Sequence, residues 1–306
     1  MGSRAILISP DMASIDRLAH KLTLVLGTTA QSKAVCDVPK ESDIFDIDGA
    51  DDGNPLAVSS SSYIYGYMDF QYEITEHTRM KIVNWLIGKM WVQNTAHSLV
   101  LYLAVQIFDR YLSMNLVVPE EEMKLIGVTA MFIASKYEEV SECAPKLDEF
   151  ADSTDNASYS TEQILAMEKS IMVKFKWTLP FPNAYHFLVR FLKAAEADVE
   201  MENMVFSLME LGLMHYAMLK YCPSMLAASA VYAAHSMLMY SPLWDETLKL
   251  HTGYSESQLI DCAAKLVSFH SGAAEHESQT VFRKYSCCVN FNVARLQPAN
   301  DLLVTD

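Results

Sequence analysis

From about Tyr63 onward, apolar side chains recur at helical rather than strand spacing. Leu99, Leu103, Ile107 and Tyr111 repeat every fourth position, which places them in one stripe along a helix. Ile82, Val83, Trp85, Leu86 and Met90 do the same over a helix predicted at Thr78–Trp91, after a short lead-in near Tyr63–Gln71. The pattern continues through Thr95–Met114, Glu120–Val140 and a short Lys146–Ala151 segment. A fifth helix runs to about Lys176 and can be capped by Ser160 or Thr161, whose hydroxyls accept from orphan amides of the first turn. Leu179-Pro180-Phe181-Pro182 then breaks the chain, because proline lacks the amide donor that a helix interior needs. A second set follows at Asn183–Ala195, Met201–Leu219, Ser224–Tyr240, Pro242–Leu250 and Ser255–His270.

Two of these helices differ from the rest. Leu125 to Ala134 is apolar or small on every face, as is most of SMLAASAVYAAHSMLMY at Ser224–Tyr240. A helix apolar all round is buried all round. Pro119 suits a first helical position, and Glu120, Glu121 and Glu122 suit the positive end of the helix dipole. Gly127, Thr129, Ala130, Ala134 and Ser135 allow neighbouring helices to approach closely. Lys136, Tyr137, Glu138 and Glu139 end the helix; alone, that charge run reads as the helix reaching the surface. Each set has a buried third helix flanked by amphipathic ones, a repeat of architecture with little identity between the halves. The fold class is therefore all-α: two tandem five-helix bundles at 63–179 and 180–306, the second with a tail. They are preceded by an arm at 1–62.

Composition narrows the function. The arm carries Glu41, Asp43, Asp46, Asp48, Asp51 and Asp52 and the serines at 59–62, a mixture expected to stay disordered because it buries too little apolar surface. The chain of 306 residues is 51% hydrophobic and 20% charged, which is globular, and its net charge of -15 argues against nucleic acid as a partner. Six scattered cysteines and nine histidines form no CxxC or HExxH, so neither a metal site nor a cofactor is expected, and a reducing compartment is. No apolar run reaches the ~18 residues of a membrane span, and Leu22–Leu26 is too short for a signal-peptide core. Gly-rich phosphate loops, GxSxG and kinase signatures are absent, which favours binding over catalysis.

Several strings together resemble one family: YMDFQYEITEHTRMKIVNWL (Tyr67–Leu86), LYLAVQIFDRYLS (Leu101–Ser113), MKLIGVTAMFIASKYEE (Met123–Glu139), YSTEQILAMEKSIM (Tyr159–Met172) and FPNAYHFLVRFLKAA (Phe181–Ala195). ENMVFSLMELGLMHY and HTGYSESQLIDCAAKLVSFH continue the match. They look like a cyclin, similar to plant mitotic B-type cyclins. The resemblance implies two five-helix cyclin boxes and a regulatory subunit, not itself an enzyme. Such a subunit binds and activates a cyclin-dependent serine/threonine kinase at the G2/M transition, in the nucleus and cytoplasm. It assigns Arg79 and Asp109 to a buried ion pair joining the first two helices. It assigns Lys136, Glu168, Leu125 and Glu139 to kinase binding, with Leu125 packed in the core and Lys136 and Glu168 at the face that grips the kinase's regulatory C helix.

Departures from the family pattern bear on substrates. Ile82 and Trp85 match the family's substrate-docking patch and Met123 replaces its leucine, whereas Thr78, Lys81, Gly88 and Lys124 stand where Met, Ile, Glu and Gln are usual. An eroded patch with weakened docking of Arg-x-Leu motifs is the expectation. Arg4-Ala5-Ile6-Leu7 has the Arg-x-x-Leu core of a destruction box, but Met12 stands where Asn is expected, and there is no Lys-Glu-Asn motif. The competing readings are a degenerate cyclin-fold adaptor without kinase activation and a DNA-contacting double box, the latter opposed by the acidic charge.

Overall fold

The computed structural model describes residues 65–92, 98–138, 147, 159–179, 183–273, 275 and 279–303. The arm at 1–62 and the helix expected at Lys146–Ala151, apart from Leu147, lie outside the described residues.

The first box comprises α1 (Glu76–Val92), α2 (Ser98–Ser113), α3 (Met123–Glu138) and α4 (Thr161–Lys174). Helix α3 packs against α1, α2 and α4, and every residue from Ile126 to Ser135 is buried, as its all-round apolar pattern requires. At Gly127 a Cβ atom would lie 3.2 Å from Ile82 Cγ2, so the missing side chain is what lets α1 approach α3. Glu120–Glu122 forms a separate 3-10 turn, and Pro119 stands before it in extended conformation instead of opening the α-helix. Ser160 is the cap of α4: its Oγ accepts from Gln163 N, and Gln163 Oε1 accepts from Ser160 N, a reciprocal capping box.

The second box comprises α5 (Ala184–Ala194), α6 (Val199–Met214), α7 (Pro223–Met237), α8 (Glu246–Thr252) and α9 (Glu256–Ala273). Buried α7 takes the central place against α5, α6 and α9. Asn183, Asp198 and Asp245 cap α5, α6 and α8 by accepting from the amides of His186, Met201 and Leu248. The helix expected to run unbroken from Met201 to Leu219 instead turns out at His215 and resumes as a 3-10 turn, Tyr216–Lys220. Tertiary contacts explain the break: Met214 O accepts from Arg79 Nη1 in the first box, and Tyr216 OH accepts from Gly66 N and Met68 N. The helix expected from Pro242 begins only at Glu246, because Asp245 supplies the cap while Trp244 is buried with its indole donating to Tyr254 O.

The tail contains elements that periodicity did not indicate. These are α10 (Thr280–Tyr285), two 3-10 turns at Cys288–Asn290 and Val293–Arg295, and α11 (Asn300–Leu303). They are too short to display a helical stripe in sequence.

Candidate functional site: a charged pair at the end of the central helix

Burial separates the roles of two ion pairs among the described residues of the first box. Arg79 on α1 donates from Nε to Asp109 Oδ1 at 2.7 Å and from Nη2 to Oδ2 at 2.8 Å, a two-pronged pair with α2. Its remaining Nη1 donates to Met214 O at 3.0 Å, and Tyr67 OH donates to Asp109 Oδ1 at 3.0 Å. Arg79 is 0% exposed and Asp109 1%. Burial alone would lower the guanidinium pKa, but the charge and hydrogen bonds of Asp109 outweigh it and hold Arg79 protonated. Burial, then the Asp109 carboxylate, pushes the Tyr67 phenol up, so Tyr67 stays protonated and can donate to Asp109. This cluster is closed to solvent and joins α1, α2 and the end of α6; its role is architectural.

The second pair is open. Lys136, in the last turn of α3, donates from Nζ to Glu168 Oε1 on α4 at 2.6 Å. The Lys136 side chain is 48% exposed and that of Glu168 17%. Lys136 Nζ also sits 4.8 Å from the centre of the Phe132 ring, one turn back on α3. Such a pair contributes only about 0–1 kcal/mol to folding. It presents an ammonium with donors to spare and a carboxylate with free lone pairs on one patch of surface.

Exposed apolar residues lie on the same two helices as this pair. Leu165 lies one turn before Glu168 on α4, and Leu165, Tyr137 and Val173 are exposed. Beyond α4, Lys176 and Trp177 both adopt left-handed backbone, with φ of 51° and 59°. Trp177 N donates to Met172 O at 2.9 Å, and the indole is 69% exposed. Such backbone is uncommon for residues that carry a side chain, and Phe291 and Asn292 in the tail share it, at 57° and 53°. Sequence periodicity missed Trp177 because it falls just outside the α4 stripe; the available signal was a bulky aromatic two residues before the Leu179–Pro182 break.

The other assigned residues divide. Glu139 lies outside the described residues. Leu125 is not in the core: it is half-buried, because Met123 and Ile126, both 0% exposed, take the inward positions at that turn. The docking patch is also altered. Ile82 is 6% and Met123 0% exposed, so both belong to the packing between α1 and α3. Only Trp85 is half-exposed, with Lys89 Nζ 5.7 Å and Lys124 Nζ 6.0 Å from its ring centre. Lys81 is exposed one turn before it. Cations therefore already occupy the surroundings of the one accessible aromatic ring, and a peptide arginine would meet like charge. Calorimetric titration of an Arg-x-Leu peptide at low salt should show binding no tighter than about millimolar, roughly -4 kcal/mol; micromolar affinity would contradict this reading.

No described helix is long and apolar enough to cross a membrane, and among the described residues no three His, Cys, Asp or Glu side chains could together hold a metal ion. Residues 58–180 match the family model "Cyclin, N-terminal domain" and residues 182–299 match "Cyclin, C-terminal domain". Cyclin-B1-2 of Arabidopsis thaliana is 43% identical over 297 residues, which are 92% of this chain and 66% of that protein. A G2/mitotic-specific cyclin of Glycine max is 49% identical over 245 residues, 79% of this chain and 92% of that protein. The chain spans just under two thirds of the length of Cyclin-B1-2 and of another Glycine max cyclin, 66% and 64%. Among solved structures, a viral cyclin from herpesvirus saimiri matches with a TM-score of 0.59 at 17% identity, covering 68% of this chain and 90% of that one, a likeness of fold. With both cyclin domains in tandem and plant B-type relatives at 43–49% identity, this chain belongs to the cyclin family.

Proposed function

We propose that this chain is a mitotic cyclin that binds and activates a cyclin-dependent serine/threonine kinase, acting at the G2/M transition in the nucleus and cytoplasm. The exposed Lys136–Glu168 pair carries the reading, with exposed Trp177 following the helix that bears Glu168. A kinase helix laid across the ends of α3 and α4 would bring backbone carbonyls to Lys136 and amides to Glu168. Once dry, such charge-assisted hydrogen bonds are about twice as strong as neutral ones. Exposed Trp177 supplies the kind of aromatic anchor that dominates interfaces. Activation then follows if the face accepts the kinase helix only in its catalytic orientation, because a partner that binds one state selectively shifts the population toward it. Binding through this face does not require the buried docking residues Ile82 and Met123.

Co-expression with a cyclin-dependent kinase, followed by affinity capture of the full chain, tests the proposal. The kinase should be retained. Trp177→Gly should weaken retention by at least about 2 kcal/mol, as expected for an anchor residue, without loss of folding, since glycine suits a positive φ. Failure to retain the kinase, or wild-type affinity of Trp177→Gly, would count against it.

A further inference from the structure

The segment beyond α9 crosses from one box to the other. Thr280, at the start of α10, donates from its amide to Asn84 Oδ1 on α1 at 2.9 Å, and its side chain faces Gly88, where a Cβ atom would meet it at 3.4 Å. One turn later the same short helix reaches α6 of the second box. Lys284 Nζ donates to Glu210 Oε1 at 2.6 Å and Tyr285 OH to the same oxygen at 3.0 Å. The chain then returns to α9, where Leu296 O accepts from His270 Nε2 at 2.9 Å, while the Arg295 guanidinium lies 5.5 Å over the Phe282 ring. Residues 279–296 are thus tied to α1, α6 and α9.

Glu210 is the unusual member of this set. It is 0% exposed, and Lys284 is the cation paired with it. A carboxylate at such depth is costly unless paired and hydrogen-bonded, and here both Lys284 and Tyr285 come from the tail. The Lys284 side chain, by contrast, retains 20% exposure. The dependence is therefore one-sided: the core of the second box needs the tail more than Lys284 needs Glu210.

We infer that residues 279–296 form a strap that fixes the two cyclin boxes against each other, and that the Glu210–Lys284 pair is its latch. The Thr280 end holds α1, and the latch holds α6. Opening the latch strands a charge inside the second box, so the strap cannot lift without loosening α6. The inference does not depend on kinase binding.

Hydrogen exchange on the full chain tests it with three variants. Lys284→Met removes the cation, keeps the apolar stem and leaves Glu210 buried and unpaired; exchange of the amides of 280–285 and of α6 around Glu210 should accelerate together by roughly a hundredfold. Glu210→Gln removes the charge that requires a partner and should accelerate the same amides no more than about tenfold. The double variant should behave like Glu210→Gln alone, since Lys284 no longer has a charge to neutralise. If Lys284→Met does not fold, a folded double variant supports the latch and an unfolded one overturns it. Additive effects of the two single changes, or acceleration confined to 280–285 with α6 unaffected, would also overturn it.

Discussion

Asp109→Ala is expected to destabilise the folded chain by about 3–5 kcal/mol, among the largest losses that a single substitution in this protein should cause. The reason is the burial of its partner. Arg79 is 0% exposed, and Asp109 accepts two of its three hydrogen bonds to the protein. Without the carboxylate, a guanidinium that cannot deprotonate remains in the core with no counter-charge, Nη1 still donating to the Met214 carbonyl. Tyr67 OH loses its acceptor as well. The midpoint of thermal unfolding should fall by roughly 6–20 °C for a folded unit of this size. Replacing both residues with apolar ones of similar volume should restore most of the loss, because the penalty lies in the unpaired charge and not in the missing attraction. An unchanged midpoint for Asp109→Ala would show that Arg79 is not left as an uncompensated buried charge.

Lys136→Glu should separate binding from folding. The pair is open, so reversing one charge should change stability by no more than about 1 kcal/mol. Against a docked kinase the cost is larger: a carbonyl row would face a carboxylate in a desolvated contact. Loss of one partner in such a contact costs about 2–5 kcal/mol, roughly a thirty- to several-thousandfold drop in affinity. Glu168→Lys should do the same from the other side. The double reversal is the sharper control. It rebuilds the pair within the chain with polarity exchanged, so it should recover stability and leave kinase binding lost. Calorimetric titration with the kinase, alongside circular dichroism, distinguishes these outcomes. Wild-type affinity for both single reversals would remove Lys136 and Glu168 from the interface.

Legibility in the sequence tracked helix length and burial. The central helices α3 and α7 were plain because a run of small and apolar residues on all faces has one stable location, the middle of a bundle. Positions where tertiary contacts override local preference were not legible. The turn at His215 depends on Arg79 taking the Met214 carbonyl, a contact spanning 135 residues. Leu125, which the family resemblance puts in the core, is half-buried because Met123 and Ile126 hold the inward positions at its turn. The α10 helix has only six residues, and its place is set by Glu210 and Asn84, far away in sequence. For the candidate site, family resemblance pointed to Lys136 and Glu168 but passed over Trp177. Its exposure follows from a left-handed backbone turn that no hydrophobic periodicity reports.

Kinase regulation is tested most directly by adding the full chain to a monomeric cyclin-dependent kinase and following phosphate transfer to a histone-type substrate. If the free kinase holds its catalytic arrangement about 1% of the time, a partner that binds only that arrangement raises the rate roughly a hundredfold at saturation. The expected result is a rise of that order, saturating at one chain per kinase and absent with Lys136→Glu. A rate that stays at the level of the free kinase at every concentration of the wild-type chain would contradict it.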